Sequence, residues 1–234
     1  VRRCEQMQPA RGFRDRLAMD APQAIAVISE IKRKSPSKGF LRTDLDPQFL
    51  ADAYQAGGAS CLSVLTDEDF FEGSIEDLQI AAAACTLPVL RKDFTVSAHD
   101  VCDTRLMGAD CVLLIAAALD AHALKELHQL ATSIGLDVLV EIHDEAELEV
   151  ALFAGATLIG VNQRDLVTFE VDHQRALRMA GLIPSGVLRV AESGVRGPAD
   201  ALALHQAGYH AVLVGESLVT SEDPAGAVRA LRNL

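Results

Sequence analysis

The chain has 234 residues, half of them hydrophobic, with a net charge of −12 and no tryptophan. This length and apolar content are enough for one sizeable core and favour a single large α/β domain. The negative charge repels phosphodiester backbones, which argues against a nucleic-acid partner. Because no apolar segment approaches the roughly 18 to 20 residues of a membrane-spanning helix, and no secretory signal opens the chain, we expect a cytoplasmic protein without a membrane partner.

The five cysteines show no C-x-x-C pair or other spacing typical of metal ligands. Cys61 and Cys111 lie in apolar, strand-like segments, where a free thiol packs as a small hydrophobic side chain. This pattern is typical of a reducing cytoplasm, and it predicts neither a disulfide scaffold nor a metal site.

Apolar segments of strand length alternate along the chain with segments of helical periodicity. The strand-like segments begin at Ile25, Cys61, Pro88, Asp110, Asp137, Leu158, Leu188 and Ala211. They are continuous rather than alternating in polarity, as in parallel strands that are covered on both faces. The clearest helical segments are DPQFLADAYQAG, SIEDLQIAAAAC, AHALKELHQLATSIG and DEAELEVALFAG. Several of them open with Asp or Ser, which are favoured N-caps, and several close with Gly, which is favoured after a helix end.

A coarse repeat marks every second helix-to-strand junction. Its copies are AGGAS, MGADC, AGATL and AGYHA. Four units of two βα pairs predict a single-domain (β/α)₈ TIM barrel over residues 25–234, preceded by a helical segment over residues 1–24. A doubly wound open sheet is the alternative, but it would be expected to carry a G-x-G-x-x-G turn after an early strand, and the sequence has none.

Polar side chains recur at the predicted ends of the strands, which form the active face of such a barrel. These residues are Glu30, Lys32, Lys92, Asp93, Glu141, His143, Asn162, Arg164, Glu192 and Ser193. A buried ion-pair network that only holds the strand ends together is the alternative for any one of them. Desolvating so many charges is costly, so the whole set favours a functional site. His143 has no second histidine at ligand spacing, and we interpret it as a residue at the rim or behind the site.

Lys92 and Glu141 stand out as an acid–base pair. Lys92 is held on a rigid strand, which suits either a general acid or a Schiff-base nucleophile. Glu141 can accept a proton or serve as a charge partner. An ammonium and a carboxylate on facing strands can divide acid and base roles, because each shifts the pKa of the other.

Two glycine-containing segments indicate a phosphate site. AESG, residues 191–194, and VGES, residues 214–217, follow the seventh and eighth predicted strands. Barrels of this class often bind phosphate with the backbone N–H groups of these two loops. A short glycine loop alone is only a turn, so the signal comes from its presence after both strands. A basic cluster at Lys32, Lys34 and Lys38 could hold one further small anion.

The motifs resemble those of the indole-3-glycerol-phosphate synthase family. The similar segments run in family order and are SEIKRKSPSKG, SVLTDEDFFEGS, PVLRKDF, VLVEIHDEAEL, LIGVNQRDLVTFEVD, VAESGV and AVLVGESL. The resemblance implies a lyase of tryptophan biosynthesis that needs no cofactor or metal. Such an enzyme closes the ring of 1-(2-carboxyphenylamino)-1-deoxyribulose 5-phosphate, decarboxylates it and dehydrates it to indole-3-glycerol phosphate.

The resemblance also implies roles for individual residues. Lys92 would be the general acid for ring closure, Glu141 would act in the dehydration, and Glu30 and Asn162 would complete the catalytic set. The implied substrate-binding residues are Lys32, Ser35, Phe71, Phe94, Arg164, Glu192, Ser193, Gly194, Gly215 and Glu216. The partner would be a small phosphorylated substrate, and the family suggests a monomer.

Two departures from the family pattern bear on binding. Glu216 stands where a small serine is common, so we expect its carboxylate to turn away from the phosphate and leave only its backbone N–H as a donor. The family also often has a longer N-terminal extension over the barrel mouth. Residues 1–24 therefore suggest a shortened lid, which would affect affinity more than chemistry.

Three other functions stay open on the residues alone. A phosphoribosyl isomerase and a Schiff-base aldolase are other phosphate-binding barrels, and borohydride trapping on Lys92 would identify the aldolase. A barrel that binds a phosphorylated metabolite without converting it belongs to a different class. It would show thermal stabilisation by the ligand and no product.

Overall fold

The fold is a closed barrel of parallel strands in a computed structural model that describes residues 1–233. The strands are β1 (Ala26–Ile31), β2 (Cys61–Leu65), β3 (Val89–Lys92), β4 (Cys111–Ile115), β5 (Asp137–Ile142), β6 (Leu158–Asn162), β7 (Leu188–Glu192) and β8 (Ala211–Val214). Each strand pairs with its neighbours in chain order, and β1 also pairs with β8, which closes the sheet. The predicted (β/α)₈ barrel is confirmed, and the open doubly wound sheet is wrong.

Helices connect the strands and cover the outside of the barrel. In the described residues they are α1 (Arg2–Glu5), α2 (Phe13–Asp20), α3 (Pro47–Gly57), α4 (Glu68–Phe71), α5 (Ile75–Ala84), α6 (Ala98–Leu106), α7 (Ala121–Ser133), α8 (Glu145–Ala154), α9 (Arg175–Ala180), α10 (Pro198–Gln206), α11 (Glu216–Val219) and α12 (Pro224–Arg232). A 3₁₀ turn follows β4 at Ala116–Ala118. None of these helices is long and apolar enough to cross a membrane.

Side-chain N-caps set where several helices begin, and three of them, Asp46, Ser74 and Asp144, open segments that the sequence predicts as helices. Asp46, Ser74, Asp120 and Asp144 each accept hydrogen bonds from backbone N–H groups in the first turn of the helix that follows. Such caps satisfy N–H groups that have no partner within the helix. They therefore fix the point at which each loop ends, and with it the shape of the barrel mouth.

The apolar core has two parts. The larger part lies between the strands and the outer helices, and the smaller part fills the inside of the barrel. The inner part contains Ile28, Leu90, Leu113, Leu139 and Val190, all of which are buried. Because this packing fills the barrel below the strand ends, the ionisable side chains at the mouth lie on an apolar base.

Helix α2 closes the end of the barrel that is opposite the mouth. Phe13 and Leu17, one helical turn apart, are fully buried and belong to the inner core. The thiol of Cys61 faces the carbonyl oxygen of Phe13 at 3.7 Å, and the Arg14 N–H donates to the Asp137 carboxylate at 2.9 Å. Cys61 and Asp137 begin β2 and β5, so this contact surface is the N-terminal end of the sheet.

The expectation that the segment over residues 1–24 forms a lid over the mouth is therefore wrong for α2. The physical reason is the apolar pair on one face of the helix, which removes Phe13 and Leu17 from water by inserting between the strand starts. The mouth is instead flanked by a β-hairpin that pairs Lys34–Ser35 with Gly39–Phe40 in the loop after β1.

The position of α2 predicts a separation between stability and catalysis. Truncating Phe13 to Ala should lower the free energy of unfolding by about 3 to 5 kcal/mol, as for other buried Phe side chains. Catalytic turnover should change little, because the barrel mouth lies on the opposite side of the inner core from α2. Urea unfolding measures the free energy of unfolding, and steady-state kinetics measure the turnover. Met19 on the same helix is 70% exposed, so Met19→Ala is the matched control. Equal destabilisation by the two substitutions would contradict the assignment.

Candidate active site

A cavity of about 850 Å³ opens at the C-terminal ends of the strands. The cavity is lined by all fourteen residues that the sequence analysis assigned to catalysis or substrate binding, and they are Glu30, Lys32, Ser35, Phe71, Lys92, Phe94, Glu141, Asn162, Arg164, Glu192, Ser193, Gly194, Gly215 and Glu216. The parallel strands explain this convergence, because their carboxyl ends all meet at one face. We call this space the central cavity.

Lys92 lies at the base of the central cavity, at the end of β3. Its Nζ atom is 2.7 Å from Oε2 of Glu141 and 3.3 Å from Oε2 of Glu192. The ammonium is largely buried, so these contacts act with little screening by water. One lysine is thus shared by carboxylates from β5 and β7.

Glu141 is the more strongly held of the two carboxylates. Its side chain is 1% exposed, and its Oε1 atom accepts a hydrogen bond from Nδ2 of Asn162 at 2.9 Å. The side-chain oxygen of Asn162 in turn accepts from the backbone N–H of Arg164 at 3.0 Å, which fixes the orientation of the amide. Glu141 is therefore held by Lys92 of β3 on one side and by Asn162 of β6 on the other.

The environment moves the pKa values of these three groups in different directions. Burial disfavours the charged form of Lys92, but the charges of Glu141, Glu192 and Glu30 outweigh it and raise its pKa. Burial also disfavours charge on Glu141, but Lys92 and the Asn162 hydrogen bond lower its pKa. Burial and the repulsion of the Glu141 charge raise the pKa of Glu192 to about 7, although the attraction of Lys92 lowers it. The site thus holds an ammonium, a carboxylate and an acid that titrates near neutrality.

Glu192 lacks the hydrogen bonds that hold Glu141. In the part of the chain that the structure describes, neither of its carboxylate oxygens accepts a well-formed hydrogen bond. Lys92 is within ion-pair distance, but its short contact is to Glu141. This difference in donors explains why the two buried carboxyl groups have pKa values on opposite sides of the ordinary value.

Glu30 and Lys32 form a second ion pair on the β1 side of the central cavity. Both side chains are mostly buried, and Nζ of Lys32 donates to Oε1 of Glu30. The loop after β8 packs directly on this pair. It lies so close that a Cβ atom at Gly215 would clash with the Glu30 carboxylate. Gly215 therefore allows the backbone of that loop to reach the cavity wall.

The loops after β7 and β8 present backbone groups to the same side of the cavity. Ser193 and Gly194 both have left-handed backbone, with φ of 64° and 74°. Consecutive residues in turn conformations of this kind turn their N–H groups inward and can form a concave anion site. A Cβ atom at Gly194 would lie 2.7 Å from Cγ1 of Val171, so the position has no room for a side chain.

Glu216 begins α11, and its carboxylate does not face the loops. Instead, its Oε1 atom is 2.5 Å from Nζ of Lys38, in the loop after β1. This ion pair is about half exposed and joins two loops across the mouth. This contact agrees with the expected orientation of the Glu216 carboxylate away from the glycine loops. The sequence did not reveal that Lys38 would be its partner.

Aromatic and aliphatic side chains form the outer wall of the cavity. Phe94 is 48% exposed and Phe70 is 57% exposed, although both line the cavity. Leu166 and Phe169 add to this wall from the loop after β6. The cavity is thus charged at its base and apolar at its opening, as in many small-molecule sites.

One contributor to the site escaped the sequence reasoning. Gly160 is buried in β6, and a Cβ atom there would clash with Oε1 of Glu192. Glycine inside a strand often marks such a close approach, which was the available signal. Asp93, which the sequence placed at the end of the third strand, accepts hydrogen bonds from Arg91 and Thr66 and from the Phe94 N–H, so it supports the loop after β3.

His143 lies outside the central cavity. Its Nε2 atom is 3.5 Å from Oε1 of Glu141, and its Nδ1 atom is 3.0 Å from Oε2 of Glu147. The interpretation as a residue behind the site thus agrees with its position. Its ring separates the carboxylate at the base of the cavity from the N-terminus of α8.

The comparisons with known proteins agree on one family. The family model for indole-3-glycerol phosphate synthase matches residues 1–231. The enzyme of this name from Mycobacteroides abscessus is 54% identical over 207 residues, which cover 88% of this chain and 76% of that protein. Those from Polaromonas sp. strain JS666 and Mycobacterium sp. strain KMS are 51% identical over 209 and 227 residues, which cover 89% and 97% of this chain and 79% and 84% of those proteins. The chain therefore belongs to the indole-3-glycerol phosphate synthase family.

Proposed function

We propose that this chain converts 1-(2-carboxyphenylamino)-1-deoxyribulose 5-phosphate to indole-3-glycerol phosphate, with Lys92 as the general acid. The observation that carries the proposal is the buried Lys92 ammonium, which lies between Glu141 and Glu192 at the base of a cavity large enough for a small phosphorylated substrate. Family membership supplies the identity of the substrate.

The electrostatics favour a general acid over a Schiff-base nucleophile. A nucleophilic lysine must be a neutral amine, and enzymes obtain one by lowering its pKa. Here the neighbouring carboxylates raise the pKa of Lys92 instead. Lys92 therefore keeps its proton at neutral pH, which suits donation to the substrate carbonyl and argues against the aldolase alternative.

Ring closure would use this proton directly. As the aromatic carbon attacks the substrate carbonyl, the Lys92 ammonium donates a proton to the carbonyl oxygen, and a hydroxyl group forms. Loss of carbon dioxide then returns the bonding electrons to the ring system. In the dehydration the leaving hydroxyl group takes up one proton from water, and Glu141, whose lowered pKa keeps it ionised, accepts the proton that is lost from the ring. Transfer of that proton from Glu141 to Lys92, 2.7 Å away, restores both residues, so each turnover consumes one proton.

Asn162 and Glu30 would support these steps without exchanging protons themselves. Asn162 holds Glu141 through its 2.9 Å hydrogen bond. Glu30 holds Lys32, and the Lys32 ammonium could attract an anionic group of the substrate once that group displaces part of the pair. Arg164 and Ser35 line the same cavity and are further polar contacts in this proposal.

The two ends of the substrate match the two kinds of cavity wall. The phosphate would bind the backbone N–H groups of Ser193, Gly194, Gly215 and Glu216, where two loops approach without bulky side chains. The anthranilate ring would lie against Phe71 and Phe94. Binding both ends fixes the reacting carbons at the base, near Lys92.

We propose that the enzyme acts as a monomer, as the family resemblance suggests. Its cysteine pattern is typical of a reducing compartment, which favours the cytoplasm.

Removing the general acid should nearly abolish turnover. Lys92→Ala should lower kcat by roughly 10²- to 10⁴-fold, the range for lost acid–base catalysis. Formation of product can be followed by indole fluorescence, because the chain has no tryptophan of its own. Lys125, which lies over the Phe153 ring on the outer helices, gives the control Lys125→Ala. Near-normal turnover in Lys92→Ala would refute the role of Lys92, and no product from the wild type would refute the proposed function.

The raised pKa of Glu192 predicts a dependence of stability on pH. Between the ordinary pKa of 4.5 and about 7, the folded protein holds a proton that the unfolded chain releases. The stabilisation is therefore complete below the unfolded pKa and is lost as the pH rises through the folded pKa. Glu192→Gln should gain thermal stability relative to the wild type as the pH rises from about 5 to about 8.

Glu149 is an exposed carboxylate on α8, so Glu149→Gln is the control. Its melting temperature should change with pH as that of the wild type does. Melting temperatures at several pH values provide the measurement. A difference between Glu192→Gln and the wild type that stays constant with pH would show that Glu192 does not titrate in this range.

Releasing Lys38 from Glu216 should strengthen phosphate binding. In Glu216→Ser the Lys38 ammonium no longer has its carboxylate partner, and the backbone N–H of residue 216 stays in place. We expect KM to fall by roughly two- to fivefold, the scale of an exposed ion pair. Glu222→Ser, on the next exposed loop, is the control. A rise in KM would mean that the ion pair itself shapes the binding site.

A further inference from the structure

We propose that His143 is a positioning residue, whose charged imidazole is oriented by Glu147 and stabilises the Glu141 carboxylate from behind the central cavity. The proposal rests on the function proposed above, in which Glu141 accepts the proton that is lost from the substrate ring. It deepens that function, because it identifies what keeps Glu141 ionised while Lys92 is without its proton. Neither His143 nor Glu147 lines the central cavity.

The need for a second cation follows from the proton cycle of Lys92. The Lys92 ammonium lies 2.7 Å from Glu141 and lowers the pKa of that carboxyl group. At ring closure Lys92 donates its proton and becomes a neutral amine, so this attraction is lost before Glu141 acts. Until Glu141 returns a proton to Lys92, other groups must stabilise its charge.

The buried environment of Glu141 offers few such groups. Its side chain is 1% exposed, so water contributes little to stabilising its charge. Asn162 donates a neutral hydrogen bond to Oε1 at 2.9 Å, and Nε2 of His143 lies 3.5 Å from the same oxygen. Among the described residues, Lys92 and His143 are the two cationic partners of this carboxylate. His143 is therefore the cation that remains after ring closure.

Glu147 fixes the orientation of the imidazole. Its Oε2 atom accepts from the backbone N–H of His143 at 2.8 Å and lies 3.0 Å from Nδ1 of the same residue. Glu147 belongs to the first turn of α8, which is capped by Asp144. Because that turn is held in place, the Nδ1 side of the ring is tied to the helix and the Nε2 side faces Glu141.

The protonated imidazole is the form that suits both of its neighbours. Nε2 is buried and has no hydrogen-bond partner within residues 1–233, and its 3.5 Å contact with Glu141 is an ion pair rather than a hydrogen bond. In the neutral ring with its hydrogen on Nδ1, toward Glu147, a lone pair on Nε2 would face the Glu141 carboxylate. In the imidazolium both nitrogens carry a hydrogen, so each carboxylate faces a donor.

The charges around the imidazole favour this protonated form. Burial disfavours the imidazolium, and Arg175 of α9 adds to this effect, but the hydrogen bond to Glu147 and the charges of both carboxylates outweigh them and raise the pKa of His143. The attraction is reciprocal, because the His143 charge lowers the pKa of Glu141. The charged residues that line the adjacent crevice of about 380 Å³ together with His143 are Asp144, Glu145, Arg175 and Arg178.

Glu192 provides a comparison within the same site. It is as deeply buried as Glu141, and Lys92 is its one ion-pair partner among the described residues. Its pKa is raised to about 7, whereas that of Glu141, which also has Asn162 and His143, is lowered. Removing the charge of His143 should therefore move Glu141 toward the behaviour of Glu192.

The test compares His143→Gln, which removes the charge, with His143→Lys, which keeps a positive charge on a side chain of different shape. Loss of the cation should raise the pKa of Glu141, and protonated Glu141 cannot accept a proton. The acid limb of the kcat–pH profile should therefore move to higher pH by about one unit in His143→Gln, which lowers kcat on that limb by up to about tenfold. His143→Lys should keep the acid limb of the wild type. His128→Gln on α7 is the matched control and should not change the profile.

A second measurement needs no turnover. The attraction between Glu141 and His143 acts on both groups, so Glu141→Gln should lower the pKa of His143 by about one unit. The assigned Cε1–H signal of His143, followed by NMR across pH, reports this pKa. The signal of His128 should titrate alike in the wild type and in Glu141→Gln. An unchanged titration of His143 would overturn the ion pair and the inference with it.

The outcomes separate this inference from the proposed function. An acid limb that stays in place in His143→Gln, or that moves equally far in His143→Lys, would overturn the role of His143 and leave the synthase proposal intact. Absence of indole formation by the wild type would overturn the proposed function and the role of His143 in it, whereas the NMR titration would still measure the ion pair. Thermal melting of each variant at the same pH values confirms that a lowered kcat does not come from unfolding.

Discussion

The sharing of one buried ammonium by two carboxylates is the interaction on which the site depends. Lys92, Glu141 and Glu192 come from β3, β5 and β7, so each must end at the same depth for the contacts to form. Burying these charges singly would be strongly unfavourable, and only their mutual neutralisation makes the arrangement stable. The parallel register of a closed barrel provides that common depth, and Gly160 on β6 provides the space for Glu192.

The two ends of the barrel serve different purposes. At the N-terminal end, Phe13 and Leu17 add apolar burial to the inner core and supply stability. At the C-terminal end, charged groups are held partly desolvated, which reduces stability but prepares them for proton transfer. The apolar inner core between them keeps water away from the base of the cavity, so the ion pairs there act in a medium of low dielectric constant.

The sequence was most informative where a pattern has one physical solution. Continuous apolar strands separated by capped helices lead to a parallel barrel, and polar residues at strand ends then have to converge. The place of α2 was not predictable, because the spacing of Phe13 and Leu17 requires an apolar partner but does not say which end of the barrel supplies it. The pair of Lys38 with Glu216 joins residues far apart in the chain, and no local pattern encodes it.

The opposite pKa shifts of Glu141 and Glu192 show how a site assigns roles to identical groups. Both carboxyl groups are buried, so burial does not distinguish them, whereas Lys92 lies 2.7 Å from Glu141 and 3.3 Å from Glu192. The difference lies in the hydrogen bonds, since Asn162 donates to Glu141 and nothing comparable reaches Glu192 in the described chain. The carboxylate that is held by hydrogen bonds is therefore the one that stays ionised and can accept a proton, whereas the other titrates near neutrality.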